Sequence, residues 1–111
     1  MKSDDMIYEA LSAVMPTFHL AMDGEPDEAA IYALSTRNYL YESDEPILQR
    51  DTYSIIIAQR EHSSARVEAI REALQDAGFF VRYSAQNLET YFDAGYSIDT
   101  LTASKNIEME G

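Results

Sequence analysis

Apolar positions recur every second residue from Gln49 to Gln59, every third or fourth from Ala65 to Ala77, and every second again from Phe79 to Ala85. The first period puts Tyr53, Ile55 and Ile57 on one face of a strand and Thr52, Ser54 and Ile56 on the other. Ile56 is itself apolar, so part of that second face is expected to be covered. Arg60, Glu61 and His62 turn the chain, and Ser63 or Ser64 can cap a helix by accepting from a free first-turn amide. Val67, Ile70, Leu74 and Ala77 form the apolar stripe of that helix, with Arg66, Glu68, Glu72, Gln75 and Asp76 mostly away from it. Gly78 suits the left-handed residue that ends many helices. In the following strand Val81 and Tyr83 oppose Phe80 and Arg82. Two strands joined through one helix run roughly parallel if they share a sheet, and the crossover is then right-handed.

The flanks are less regular. Met1 to Met15 reads as a helix with a stripe of Ile7, Ala10, Leu11 and Val14, Ser3 as its cap, and Asp4 and Asp5 near its positive end. Pro16 stops it. Thr17 to Ala21 is a short extended piece. Ala29 to Tyr41 alternates as a strand, and the acidic turn Glu42 to Pro46 joins it to the Gln49–Gln59 strand as an antiparallel hairpin with a long, projecting tip. Leu88 to Asp93 is too short to assign. Tyr91 and Phe92 are neighbours, so they face different ways and at least one is expected at the surface. A last strand runs from Tyr96 to Leu101 with Tyr96, Ile98 and Thr100 on one face, and Ser104 to Gly111 is a polar, frayed tail. The expected fold is therefore α+β, in the order helix, strand, strand, helix, strand, strand. It has a four-stranded, mainly antiparallel sheet with the helices packed on one face.

At 111 residues the chain is expected to be one domain with a single core that needs no staple. It has no cysteine, which removes disulfides, thiolate metal sites and a cysteine nucleophile and fits a reducing compartment. No apolar run approaches a membrane span, and the acidic start Met1-Lys2-Ser3-Asp4-Asp5 does not fit a signal peptide. The net charge of −12 comes from 20 acids against 8 scattered bases. It argues against direct nucleic-acid binding, which needs clustered Lys or Arg, and against anionic membranes. Eight tyrosines and four phenylalanines are a folded-domain load that serves cores and interfaces alike.

The residues offer little chemistry. His19 and His62 sit in different segments, neither with a second histidine at ligand spacing. His62 beside Ser63 does not make a nucleophile–base pair, since sequence neighbours rarely present side chains to each other. The four glycines are isolated, so no phosphate-cradling loop is formed. Asp23 to Glu28 carries four carboxylates, but their spacing fails the calcium-loop pattern and Pro26 interrupts it, so a solvated loop is expected. Lys2 and Lys105, the only lysines, lie in no apolar setting that would lower their pKa. No catalytic residue, cofactor or metal is expected. Binding is left, and the candidate protein-interface residues are Tyr39, Tyr41, Glu42, Asp44, Glu45, Tyr91, Phe92 and Tyr96. The tyrosines among them lie near strand ends or loops, where the alternative is a satellite cluster under the loops.

The order of elements resembles the small tail terminator, or tail completion, proteins of long-tailed bacteriophages and prophages. The resemblance rests on the leading helix with Ile7-Tyr8-Glu9-Ala10-Leu11, the strand Arg50-Asp51-Thr52-Tyr53-Ser54-Ile55-Ile56-Ile57, and the helix with Ala69-Ile70-Arg71-Glu72-Ala73-Leu74. Gly78-Phe79 then leads into a strand ending before Glu89-Thr90-Tyr91. It implies a non-catalytic virion protein that closes into a homo-oligomeric ring, usually a hexamer. Such a ring caps the tail tube and meets the head, first in the host cytoplasm and then in the virion. Its partners would be itself, the tail tube and the head–tail connector, and a negative channel wall would keep passing DNA from sticking. Two other readings compete: an acidic inhibitor that mimics DNA, on charge alone, and a small-ligand regulatory domain on a ferredoxin-like sheet.

Overall fold

A computed structural model describes residues 2–88 and 95–108, with the side chains of residues 85–88 left out. The chain runs α1 (Ser3–Ser12), β1 (Thr17–His19), β2 (Glu28–Glu42), β3 (Glu45–Gln59), α2 (Ser64–Asp76), β4 (Phe80–Leu88) and β5 (Ser97–Glu108). The sheet has five strands in the order β1-β2-β3-β5-β4. It is mixed: β1 pairs parallel to β2, and the other three pairings are antiparallel. The fold is α+β as expected, but with one strand more. The extra strand is β1, three residues long, and no period can show in three residues.

The strand–helix–strand unit forms as its periodicity demands. β3 and β4 point the same way, with β5 inserted between them as antiparallel neighbour to both. Ser63 caps α2, its hydroxyl accepting from the Arg66 amide at 3.3 Å. Gly78 ends the helix at φ +94°, and Lys105 Nζ lies 2.7 Å from where a Cβ would stand. Both helices pack on one face. Ile7, Leu11 and Met15 of the first segment and Val67, Ile70 and Leu74 of α2 meet Tyr53, Ile55, Ile57 and Leu101 in a single cluster, closed at one side by Phe79. On the opposite face a smaller cluster joins Ala58, Tyr96 and Ile98, with Met22 and Ile56 against it. This is the partial cover that the apolar Ile56 implied.

Several boundaries differ from expectation; α1 is shorter than Met1 to Met15, and β4 runs on past Ala85 to Leu88. The β2–β3 hairpin closes on two residues, Ser43 and Asp44, both at positive φ (51° and 68°). That geometry matches the right-handed twist of the strands, so the expected five-residue turn shrinks and both strands grow to fifteen residues. Pro46 is accommodated at a register shift, opposite Tyr41. β5 continues to Glu108, paired with β3 from Leu48 onward. Residues 104 to 108 therefore belong to the sheet, where a frayed tail was expected, because a long β3 offers backbone partners to a polar segment as readily as to an apolar one. Ser3 is the first helical residue of α1 and not its cap: Lys2 holds the cap position without a side-chain bond. Ser3 is buried instead.

Candidate protein interface

Past Tyr53, β2 and β3 leave the cover of the helices and run on as an arm. Strands rise about 3.4 Å per residue, so fifteen residues span roughly 50 Å. The hairpin thus sets the long axis of a body measuring 51 × 23 × 22 Å. From Leu34 to Glu42 every residue of β2 is exposed. Among them are large apolar groups: Leu40 is 56% and Tyr41 59% exposed, with Tyr39 and Ile47 also open to solvent. The rings of Tyr39 and Tyr41 lie 6.3 Å apart on the helix side of the sheet, while Leu40 pairs with Leu48 on the other side. Glu42, Asp44 and Glu45 surround the tip, all exposed. An apolar patch rimmed by charge is the composition of a contact surface. The arm also offers backbone. β1 pairs only with Ala30 to Tyr32, so beyond Tyr32 the outer edge of β2 carries no strand among the described residues, and such an edge accepts an added strand.

The root of the arm is a buried carboxylate. Asp51 is fully buried and accepts from four donors: Arg37 Nε at 2.7 Å and Nη2 at 3.2 Å, Ser3 Oγ at 2.6 Å and Gln49 Nε2 at 2.9 Å. Register explains the set. Arg37 faces Asp51 directly across the β2–β3 ladder, Gln49 is two residues along the same face, and Ser3 arrives from the start of α1. Burial pushes the Asp51 carboxyl up, but the bonds from Arg37, Ser3 and Gln49 outweigh it and hold the group below the ordinary carboxylate value. The Tyr53 hydroxyl lies 2.6 Å from Ser3 Oγ and donates to Asp4. Burial, then the bond to Asp4, raises its pKa well above an ordinary phenol. One network thus ties α1, the helix-side face of β3 and the base of the arm. A recess of about 390 Å³ opens beside it, lined by Lys2, Asp4, Arg37, Gln49 and Ile107 among others.

Five of the eight candidate interface residues come together on the arm: Tyr39, Tyr41, Glu42, Asp44 and Glu45. Tyr91 and Phe92 lie outside the described residues. Tyr96 is a correction. It is fully buried, its hydroxyl donates to the Pro26 carbonyl at 2.5 Å, and the Arg60 guanidinium lies 4.8 Å from its ring centroid. Its position just before a strand suggested a surface, but the 20–27 loop folds over it. Two acids of the same loop, Glu25 and Asp27, lie 3.8 and 3.7 Å from Arg60, and Glu28 at the start of β2 meets Arg66 at 2.5 Å. A second recess of about 430 Å³ lies there, lined by Asp27, Glu28, Arg60, Glu61 and Arg66. Among the described residues no three His, Asp or Glu side chains converge as metal ligands. No described helix is long and apolar enough to cross a membrane.

Two polar contacts had no signal in the sequence. His62 Nε2 lies 3.0 Å from Asp99 Oδ2, a carboxylate 37 residues away and nearly buried on β5. Ser63, beside it, spends its hydroxyl on the helix cap. Lys105 lies over the Phe79 ring, Nζ 5.4 Å from the centroid, and donates to the Ala77 carbonyl at 2.7 Å. It thus sits against an aromatic where no apolar setting was expected, because β5 runs on past the end of α2. Asp51 carried a signal, since an acid alternating in phase with Tyr53, Ile55 and Ile57 falls on the core face. No family profile matches the chain, and no curated protein resembles it in sequence.

Proposed function

We propose that this chain is a structural virion protein of a long-tailed bacteriophage or prophage: a ring-forming tail terminator that caps the tail tube and joins it to the head, without catalysis. The observation that carries the reading is the arm. A hairpin of two fifteen-residue strands that leaves its own core, anchors its base on the buried Asp51 carboxylate through the half-exposed Arg37 and exposes Tyr39, Leu40, Tyr41 and Ile47 at its end is built to meet another protein. In this reading the arm reaches the tube and the body closes on its own copies. The order of elements that resembles tail terminators supports the choice of assembly. The His62–Asp99 pair does not favour an enzyme, since the two recesses are lined by charges that largely match one another.

The test is assembly. Purified chain should give one closed oligomer by light scattering over a range of concentrations, and negative-stain micrographs of it should show a ring with an open centre. Replacing Leu40 and Tyr41 with serine should leave that ring intact and abolish its sedimentation with polymerised tail tubes of the same phage. A chain that stays monomeric, and whose melting temperature rises with amino acids or nucleotides, would move the function to a small-ligand regulatory domain.

A further inference from the structure

Four of the six arginines are in ion pairs: Arg37 with Asp51, Arg60 with Glu25 and Asp27, Arg66 with Glu28, and Arg71 with Glu68. Arg50 and Arg82 have no ion pair among the described residues, although the chain holds 20 carboxylates. Their positions explain this. Arg50 pairs across the ladder with Asn106, and Arg82 with Thr102. Both are one residue out of phase with the core-facing positions Asp51 and Val81, so both stand on the sheet face away from the helices. That face is lined between them by hydroxyls: Thr52 bonded to Ser104 at 3.0 Å and Ser84 to Thr102 at 2.8 Å. Phe80 lies on it with 69% of its surface exposed. By register, no described Asp or Glu stands on this face between the 20–27 loop at one end and Glu108 at the other. The opposite side of the molecule has the reverse character. Glu72 and Asp76 on α2, and Asp5 and Glu9 on α1, are exposed and have no ion pair among the described residues.

We infer that the open sheet face, with Arg50, Phe80 and Arg82, receives the acidic helix face of a second copy of this chain. Arginine and an exposed aromatic are the residue types that carry binding energy at protein contacts, and a neutral Ser/Thr surround is cheap to desolvate compared with charges. Charge complementarity selects the occupant. The net charge of −12 repels nucleic acid and a second copy alike at long range, so the choice rests on local complementarity: Glu72 and Asp76 of a second copy, exposed and without an ion pair among the described residues, meet Arg50 and Arg82 directly. The two surfaces lie on opposite sides of one sheet, so the contact is head-to-tail, the kind that closes a ring when the rotation between copies fits. This inference rests on the ring-forming reading and names the surfaces that would make the ring, leaving the arm free for the tube.

The test uses charge reversal on both sides and sedimentation of the full chain at low salt. R50E/R82E alone and E72R/D76R alone should each weaken self-association by about tenfold or more, since each places like charges across the contact. Mixed in equal amounts, the two variants should recover association, because the only attractive contacts then alternate between them. Far-UV circular dichroism and thermal melts matching wild type show that each variant is folded, and Phe80→Ser provides an uncharged second probe with the same expected loss. An oligomer that persists in R50E/R82E overturns this inference and leaves the ring reading standing. Wild-type chain that is monomeric throughout overturns both. Binding of a labelled DNA duplex that R50E/R82E abolishes, with self-association unchanged, would assign the face to nucleic acid instead.

Discussion

β2 and β3 are each fifteen residues long, and the two ends of the same hairpin live in different surroundings. At the body end, Ala30, Tyr32, Tyr53, Ile55 and Ile57 are buried under both helices. Full burial of an Ile or Leu side chain contributes about 1.5–3 kcal/mol, so this end is held by packing. At the arm end the ladder continues with no described helix above it, and Leu40, Tyr41 and Ile47 face solvent. A two-stranded ribbon alone is marginal in water. What supports the arm is the run of β5 beside β3 as far as Glu108 and the Asp51–Arg37–Ser3 network at its root. One end of the hairpin therefore makes the fold, and the other is supported by it.

The sharpest way to break this contrast is to make the same kind of truncation at both ends. Leu74→Ala removes a fully buried side chain of α2 and should cost about 3–4 kcal/mol in urea unfolding, whereas Leu40→Ala on the arm should change stability by no more than about 0.5 kcal/mol. Equal losses would mean that the arm is packed in solution. Next in size is Asp51→Ala. It leaves Ser3 and Gln49 without their acceptor in a buried site and should cost about 2–3 kcal/mol. The sign of its pH dependence follows from the depressed pKa. The unfolded chain takes up the proton first, so the stabilisation from Asp51 is full above the ordinary carboxylate pKa of about 4. It is lost as the pH falls below that value through the folded one. The gap between wild type and Asp51→Ala should therefore shrink on acidification below about pH 4, and a gap independent of pH would remove the carboxylate from the account.

Smaller effects refine the picture. Tyr53 has the opposite polarity. Its raised pKa means that the unfolded chain loses the phenolic proton first, so wild type should lose stability above about pH 10, and Tyr53→Phe should lose less there. Gly78→Ala forces an ordinary residue into φ +94° against the tip of Lys105 and should cost about 1 kcal/mol, read as a lower melting temperature. Ser63→Ala removes the α2 cap for a similar or smaller loss.

The elements that could be read in advance were those whose burial writes a period into the chain. Tyr53, Ile55 and Ile57 in β3, Val67, Ile70 and Leu74 in α2, and the glycine at its end are examples. β1 was expected only as an extended piece, and its place in the sheet could not be read, because three residues hold no period. Nor could the end of β5, because Ser104 to Glu108 is held by backbone pairing to β3 and not by apolar side chains. The candidate surface divides the same way. Tyr39, Tyr41 and the tip acids were visible because aromatics beside an acidic turn mark an exposed hairpin end. Tyr96 was misplaced because the loop that buries it is seventy residues away in sequence.

The sequence by itself determined the two helices, the four longer strands and that one face of the sheet is apolar, since those follow from local spacing and side-chain type. Only the tertiary structure decided which charges meet. Arg37 reaches Asp51 and His62 reaches Asp99, while Arg50 and Arg82 are left facing outward on the bare side of the sheet. The physical reason is that an ion pair depends on strand order and register across tens of residues, and a one-residue shift in register carries every side chain of a strand to the other face.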